Sequence, residues 1–218
     1  MPKKEPFEQY PEAYDQWFER NPDAYKAELE LIRGLLPDQP EAEGLEVGVG
    51  TGKFAFPLGT GTGVEPSRKM AARAEKLGMR VVSGVAEDLP FPDASFDYVL
   101  LVTTICFVDD IEQTFAQAFR VLKPGGCIIV GFVDRESELG KHYAANREKS
   151  RFYKQATFYS APEVVTYLQK AGFAVHSIRQ TLIPGAEKDA IRDGYGQGAF
   201  VGIKAVKIAK LPSSGTQD

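Results

Sequence analysis

The chain has 218 residues, 43% hydrophobic and 26% charged, which is the make-up of an ordinary globular protein with enough apolar material for one well-buried core. A formal net charge of -4 offers no broad basic field for gripping a phosphate backbone, so nucleic acid is not an expected partner. No apolar run is long enough to cross a bilayer and no signal-peptide hydrophobic region opens the chain, so a soluble cytoplasmic protein without membrane insertion is expected.

Residues 10–36 carry Trp17, Phe18, Tyr25, Leu29, Ile32 and Leu35 at helical spacing. The pattern breaks at Asn21-Pro22, which suits an N-cap followed by proline in the first turn. Two short helices are therefore expected before the first strand, forming an N-terminal segment over residues 1–40. From Gly44 onward, apolar runs at 45–47, 63–65, 80–82, 98–102 and 127–133 alternate with helical segments, which predicts an α/β protein with a doubly wound parallel sheet. Ser67 reads as an N-cap with Gly78 as the stop, and Asp109 or Asp110 opens a helix ending near Val121. Ser160-Ala161-Pro162-Glu163 fits a capping box opening a helix that stops at Gly172, and β-rich runs follow at 174–182 and 199–209.

The main domain is read as residues 41–211, with a polar and aromatic cap inserted at about 135–159 and a flexible, turn-rich tail at 212–218. Cys106 and Cys127 stand in apolar runs with no Cys or His at metal-ligand spacing, so reduced core thiols and no metal are expected.

Glu46-Val47-Gly48-Val49-Gly50-Thr51-Gly52 sits where the first strand turns toward the first helix of the sheet, the place where an open α/β sheet binds nucleotide-like ligands. Taken alone it also reads as a tight turn. A dinucleotide fingerprint needs glycine or alanine three positions after its second glycine, and Lys53 stands there. Glycine comes instead at Gly52, with the acidic Glu46 two positions before Gly48. This arrangement resembles motif I of class I methyltransferases that use S-adenosylmethionine (SAM). Glu65, closing the second strand, is placed to accept hydrogen bonds from two ribose hydroxyls; by itself it also reads as a solvated strand end.

The stretch Gly84-Val85-Ala86-Glu87-Asp88-Leu89-Pro90-Phe91-Pro92-Asp93-Ala94-Ser95-Phe96-Asp97 is similar to the fourth-strand entry of the ubiquinone/menaquinone-biosynthesis-type (type 11) small-molecule methyltransferases. Arg120-Val121-Leu122-Lys123-Pro124-Gly125-Gly126 resembles the turn before strand five in the same superfamily. The similar blocks span about residues 46–133. The resemblance implies a Rossmann-like seven-stranded sheet with the last strand inserted antiparallel, an N-terminal helical lid, and SAM as cofactor with S-adenosylhomocysteine as product. It places the methionine part of SAM on the loop of Glu46, Gly48, Val49, Gly50 and Gly52, the ribose on Glu65, and the adenine near Pro66, Ala86 and Glu87. Thr103 falls in the segment beside the sulfonium, and Tyr14 matches the lid aromatic that covers SAM in relatives, although Tyr14 and Trp17 read equally as helix-face packing. Val85 departs from the family, many of whose members carry at that position an Asp that accepts from the adenine amino group.

Methyl transfer to a small molecule requires alignment and exclusion of water, and an amine or hydroxyl acceptor also requires a base. Asp134, His142 and Tyr153 are the candidates for that base, with Thr104 near the methyl as an acceptor-orienting hydroxyl, none within a diagnostic motif. His142 reads equally as an exposed helical histidine, and Asp134-Arg135-Glu136 as a salt-bridged strand end. The aromatic residues from Tyr143 to Tyr159 suit either a pocket for a planar or cationic substrate or the cap's own small core. Every firm motif belongs to the cofactor half, so a non-catalytic SAM-binding regulator stays open beside the enzyme. A nicotinamide-dependent oxidoreductase is the third reading, with Lys53 against it.

Overall fold

The computed structural model describes residues 4–208, so the expected tail at 212–218 lies outside the described residues. Three helices, not two, precede the sheet: α1 (Glu5–Gln9), α2 (Pro11–Arg20) and α3 (Pro22–Arg33). Each carries proline in its first turn, where the missing N–H deprives the helix of no bond. The five residues of α1 are too few to show the apolar periodicity that marks the other two. Asn21 precedes α3 as expected, but its side-chain amide turns back to donate to the Trp17 carbonyl at 2.8 Å instead of capping.

The strands are β1 (Gly44–Val47), β2 (Thr62–Val64), β3 (Arg80–Val82), β4 (Phe96–Val102), β5 (Leu122–Val133), β6 (Phe173–Thr181), β7 (Arg192–Asp193) and β8 (Phe200–Lys207). They form one sheet in the order β3-β2-β1-β4-β5-β8-β6-β7. Strands β1 to β5 run parallel, and β8 lies antiparallel between β5 and β6, as the resemblance implies. The eighth strand, β7, is an addition to the expected seven. It pairs only with Arg179 and Gln180 on the sheet edge, and two residues leave no alternation to read.

The remaining helices are α4 (Ala55–Leu58), α5 (Arg68–Lys76), α6 (Ile111–Val121), α7 (Glu138–Asn146) and α8 (Ala161–Lys170). Their starts follow the capping residues. Ser67 Oγ accepts from the Met70 N–H at 3.3 Å, and Asp110 accepts from the Gln113 N–H at 3.0 Å. Ser160 and Glu163 form the capping box of α8, the Ser160 N–H donating to Glu163 Oε2 at 2.8 Å. The cap after β5 consists of α7 and two 3-10 turns, Arg147–Lys149 and Tyr153–Gln155.

Successive side chains of β4 bury on opposite faces of the sheet, following the two-residue repeat of a strand. Val99 and Leu101 pack with Phe115, Val164 and Leu168 from α6 and α8. Tyr98, Leu100 and Val102 pack with Leu31 and Ile32 of α3 and with Phe54. Helix α3 lies so close to β8 that a Cβ on Gly202 would sit 2.2 Å from the Leu31 side chain. This contact fixes the N-terminal helices against the sheet. Cys127 is buried in β5, whereas Cys106 is half-buried in the turn after β4 rather than in a strand. Among the described residues no helix is long and apolar enough to cross a membrane.

Candidate functional site

A cavity of about 850 Å³ opens beyond the carboxyl ends of β1, β2 and β4, with the N-terminal helices and the cap as its outer walls. Its floor is the glycine loop. Gly48, Gly50 and Gly52 have φ of +72°, +56° and +84°, a region that glycine enters without steric cost. A Cβ on Gly48 would lie 2.6 Å from the Thr104 side chain, and one on Gly50 would lie 3.4 Å from both the Tyr14 hydroxyl and Met70. Gly48 and Gly50 line the cavity as bare backbone.

The rest of that motif stands behind the cavity wall. Glu46 is buried and accepts from the Ala55 N–H at 2.7 Å; burial lifts its carboxyl well above the usual range against the pull of that N–H. Val49 packs on Gly63, and Gly52 faces Met79 and Leu77. These three residues shape the loop and do not reach the cavity wall. Lys53, at the position a dinucleotide fingerprint gives to glycine, instead ion-pairs with Asp15 at 3.5 Å.

Glu65 closes β2 from the cavity side. The Gly50 N–H donates to its Oε2 and the Ser67 N–H to its Oε1, both at 2.9 Å. A carboxylate offers about four lone-pair positions, so two remain for donors arriving from the cavity. Burial raises its pKa to about 7, the two N–H donors pulling the other way. Pro66, Val85, Ala86 and Glu87 continue the wall. Glu87 Oε1 accepts from the Asp109 and Asp110 N–H groups at 2.6 and 3.2 Å, which ties this wall to the start of α6.

Thr103 lines the cavity with φ of +53°, rare for a residue with a branched side chain and worth roughly 1–3 kcal/mol of strain. Its N–H donates to the Gly131 carbonyl at 2.7 Å, which holds it there. The Thr104 hydroxyl also lines the cavity but donates to the Val102 carbonyl at 3.1 Å. Tyr153 faces the cavity from the cap with its phenol pushed well above its usual pKa by burial, and His142 stands exposed at the rim.

Asp134 is the candidate that the structure does not place on the cavity wall. Its carboxylate is buried and accepts from the Glu136 N–H at 2.9 Å, folded onto its own turn before α7 and absent from the cavity wall. In the other direction, Glu28 on α3 was not singled out by its sequence context, yet it is only 4% exposed and lines the cavity. No hydrogen bond or ion pair reaches its carboxylate among the described residues, and burial raises its pKa to about 8. The sequence signal was a lone acid at helical spacing in the stripe of Ala24, Glu28, Leu31 and Leu35.

Helices α1 and α2 close over this space. Arg73 of α5 pairs with Glu12 and, at 2.6 Å, with Asp15, while Ser67 Oγ donates to Glu8 at 2.6 Å. The Phe7 ring meets Phe107 and Phe152 at centroid distances of 4.8 and 5.3 Å, joining the N-terminal helices to the cap. Tyr14 lies beneath them on the cavity wall, and burial followed by the charges of Glu46 and Glu65 holds its phenol protonated well past the usual range.

Residues 45–130 match a family model described as a methyltransferase domain. A crystal structure from Thermotoga maritima, described as a SAM-dependent methyltransferase and possible histamine N-methyltransferase, is 47% identical. It superposes with a TM-score of 0.89 over 94% of this chain and 99% of that one. An uncharacterized protein of Methanocaldococcus jannaschii is 44% identical over 93% of this chain and 98% of its own length. The 27-O-demethylrifamycin SV methyltransferase of Amycolatopsis mediterranei is 30% identical over 81% of this chain and 72% of its own length.

Proposed function

The chain belongs to the SAM-dependent methyltransferases, and from that premise we propose that it transfers a methyl group from SAM to a small molecule held in the same cavity. The observation that carries this reading is Glu65, a buried carboxylate that is fixed by two backbone N–H donors and still offers two lone pairs to the cavity. A vicinal diol supplies the two matching donors. The bare backbone of Gly48 and Gly50 lets the methionine part lie against the loop. With the Glu87 carboxylate engaged at the start of α6, Pro66, Val85 and Ala86 are the wall residues that would hold the adenine.

When bound, SAM supplies an electrophilic methyl carbon. The protein's own contribution is placement. A cavity of about 850 Å³ lies near the upper end of small-molecule sites, room for SAM beside a compact acceptor but not for a macromolecule. Holding both in line is worth on the order of 7–11 kcal/mol in favourable cases. Helices α1 and α2 exclude water from the reacting atoms, and the Thr103 backbone is fixed at the wall between the two occupants.

Calorimetric titration tests the reading. Wild-type protein binds S-adenosylhomocysteine and not NAD, and Glu65→Ala weakens that binding about a hundredfold, or roughly 3 kcal/mol, as expected for lost charge-assisted hydrogen bonds. A folded wild-type protein that ignores S-adenosylhomocysteine would falsify it.

A further inference from the structure

We propose that the methyl acceptor is a small amine and that Glu28 is its binding and proton-accepting residue. The proposal rests on the methyl-transfer reading and names the substrate class of that same site.

An ionised carboxylate removed from water is costly unless a partner compensates it. Glu28 is 4% exposed and faces the cavity, and no described residue partners it. The other acids of the site are satisfied internally: Glu46 by Ala55, Glu65 by Gly50 and Ser67, Glu87 by Asp109 and Asp110. Glu28 alone among them waits for a donor that a ligand must bring.

What surrounds it specifies the donor. Glu28 lies close enough to Tyr14, Tyr25, Tyr143 and Tyr153 for its charge to oppose the ionisation of each phenol. Tyr143 and Tyr153 stack at 5.0 Å, and Tyr153 stacks on Phe107 at 5.9 Å. A carboxylate ringed by aromatic rings is the recognition chemistry of an organic ammonium. The basic groups on the cavity wall are Lys4, Arg20, His142 and Lys149, and none is ion-paired with Glu28. A carboxylate or phosphate ligand would meet Glu28 as a like charge.

An amine also needs what Glu28 supplies. It arrives protonated and becomes a nucleophile only after losing a proton. With Glu28 ionised, the form that grows as pH rises through about 8, the ammonium gives that proton to its carboxylate, whose affinity for it is raised by burial. The nitrogen lone pair then forms the N–C bond as the S–C bond breaks, and the S–C electron pair stays on sulfur as a neutral thioether. The product leaves as a methylated ammonium, and Glu28 returns its proton to water.

The test is titration of the protein saturated with S-adenosylhomocysteine, using 2-phenylethylamine and histamine against the isostere 2-phenylethanol. Methyl transfer to each amine is followed in parallel by S-adenosylhomocysteine formation from pH 6 to 9.5. The expected result is amine binding at least tenfold tighter than alcohol binding, lost by tenfold or more in Glu28→Gln while S-adenosylhomocysteine affinity is unchanged. Glu28→Gln should also flatten the acid limb of the kcat/KM profile, and Glu28→Asp should restore part of it. If S-adenosylhomocysteine binds but neither amine exceeds the alcohol, or if Glu28→Gln alters neither binding nor profile, the proposal is overturned. Absence of S-adenosylhomocysteine binding in the wild type would instead remove the methyl-transfer reading beneath it.

Discussion

The two sides of the cavity are built on opposite plans. At the ends of β1 and β2 the polar groups are matched inside the protein: Glu46 by an N–H of α4, Glu65 by the loop it faces. Across the cavity, α3 presents Glu28 with no partner among the described residues, on a wall shared with aromatic side chains from the N-terminal helices and the cap. The first side is pre-organised by backbone and would hold the same shape empty or full. The second is completed only by what enters it, and the cost of ionising Glu28 there as pH rises is stability withheld from the empty protein.

The most severe way to break this contrast is Gly48→Val. A side chain there must adopt φ of +72° and meet Thr104 within 2.6 Å, so about 3 kcal/mol of folding stability should be lost in urea denaturation. S-adenosylhomocysteine binding should disappear with it. Retention of both would show that the loop backbone is not the rigid floor described.

A gain of stability is expected on the opposite side. Folded Glu28 holds its proton to about pH 8, whereas the unfolded chain releases it near 4.5, so this group's contribution falls as pH climbs between those values. Glu28→Gln should therefore stabilise the empty protein by about 2 kcal/mol at pH 8.5, a rise of roughly 4–8 °C in Tm, with no gain at pH 4. Glu65 runs the same way up to about pH 7. Thermal melts of wild type and variant at the two pH values decide the matter; an equal gain at both would assign the effect to packing instead of charge.

The smallest effect separates a site residue from a scaffold residue on the same edge. Asp134→Asn should leave methyl transfer within twofold of wild type and cost about 1 kcal/mol, since only the bond to Glu136 is weakened. A drop in kcat of tenfold or more would return Asp134 to the chemistry.

What the sequence revealed follows the same division. The loop and the place of Glu65 were legible because a left-handed backbone demands glycine and because Glu65 closes the strand beside that loop, features set within a few neighbouring residues. Glu28 was not, because its meaning depends on α3 docking onto β8 and on Tyr143 and Tyr153 arriving from more than a hundred residues away. Asp134 shows the converse: its position at the end of β5 points to the site, but its side chain folds back onto its own turn. Helix α1 and strand β7, of five and two residues, are too short for the repeat that marks either element to recur.

Asp15 on α2 gathers Arg73 from α5 together with Thr51 and Lys53 from the glycine loop. One carboxylate thus pins the covering helices to two separate parts of the body, and α2 cannot lift from one without releasing the other. That carboxylate acts beside the other ties of the cover, Glu12 on Arg73, Glu8 on Ser67 and Phe7 on Phe107 and Phe152. Under the proposed function, loosening of this cover would have to precede both exchange of the spent cofactor and departure of the methylated product.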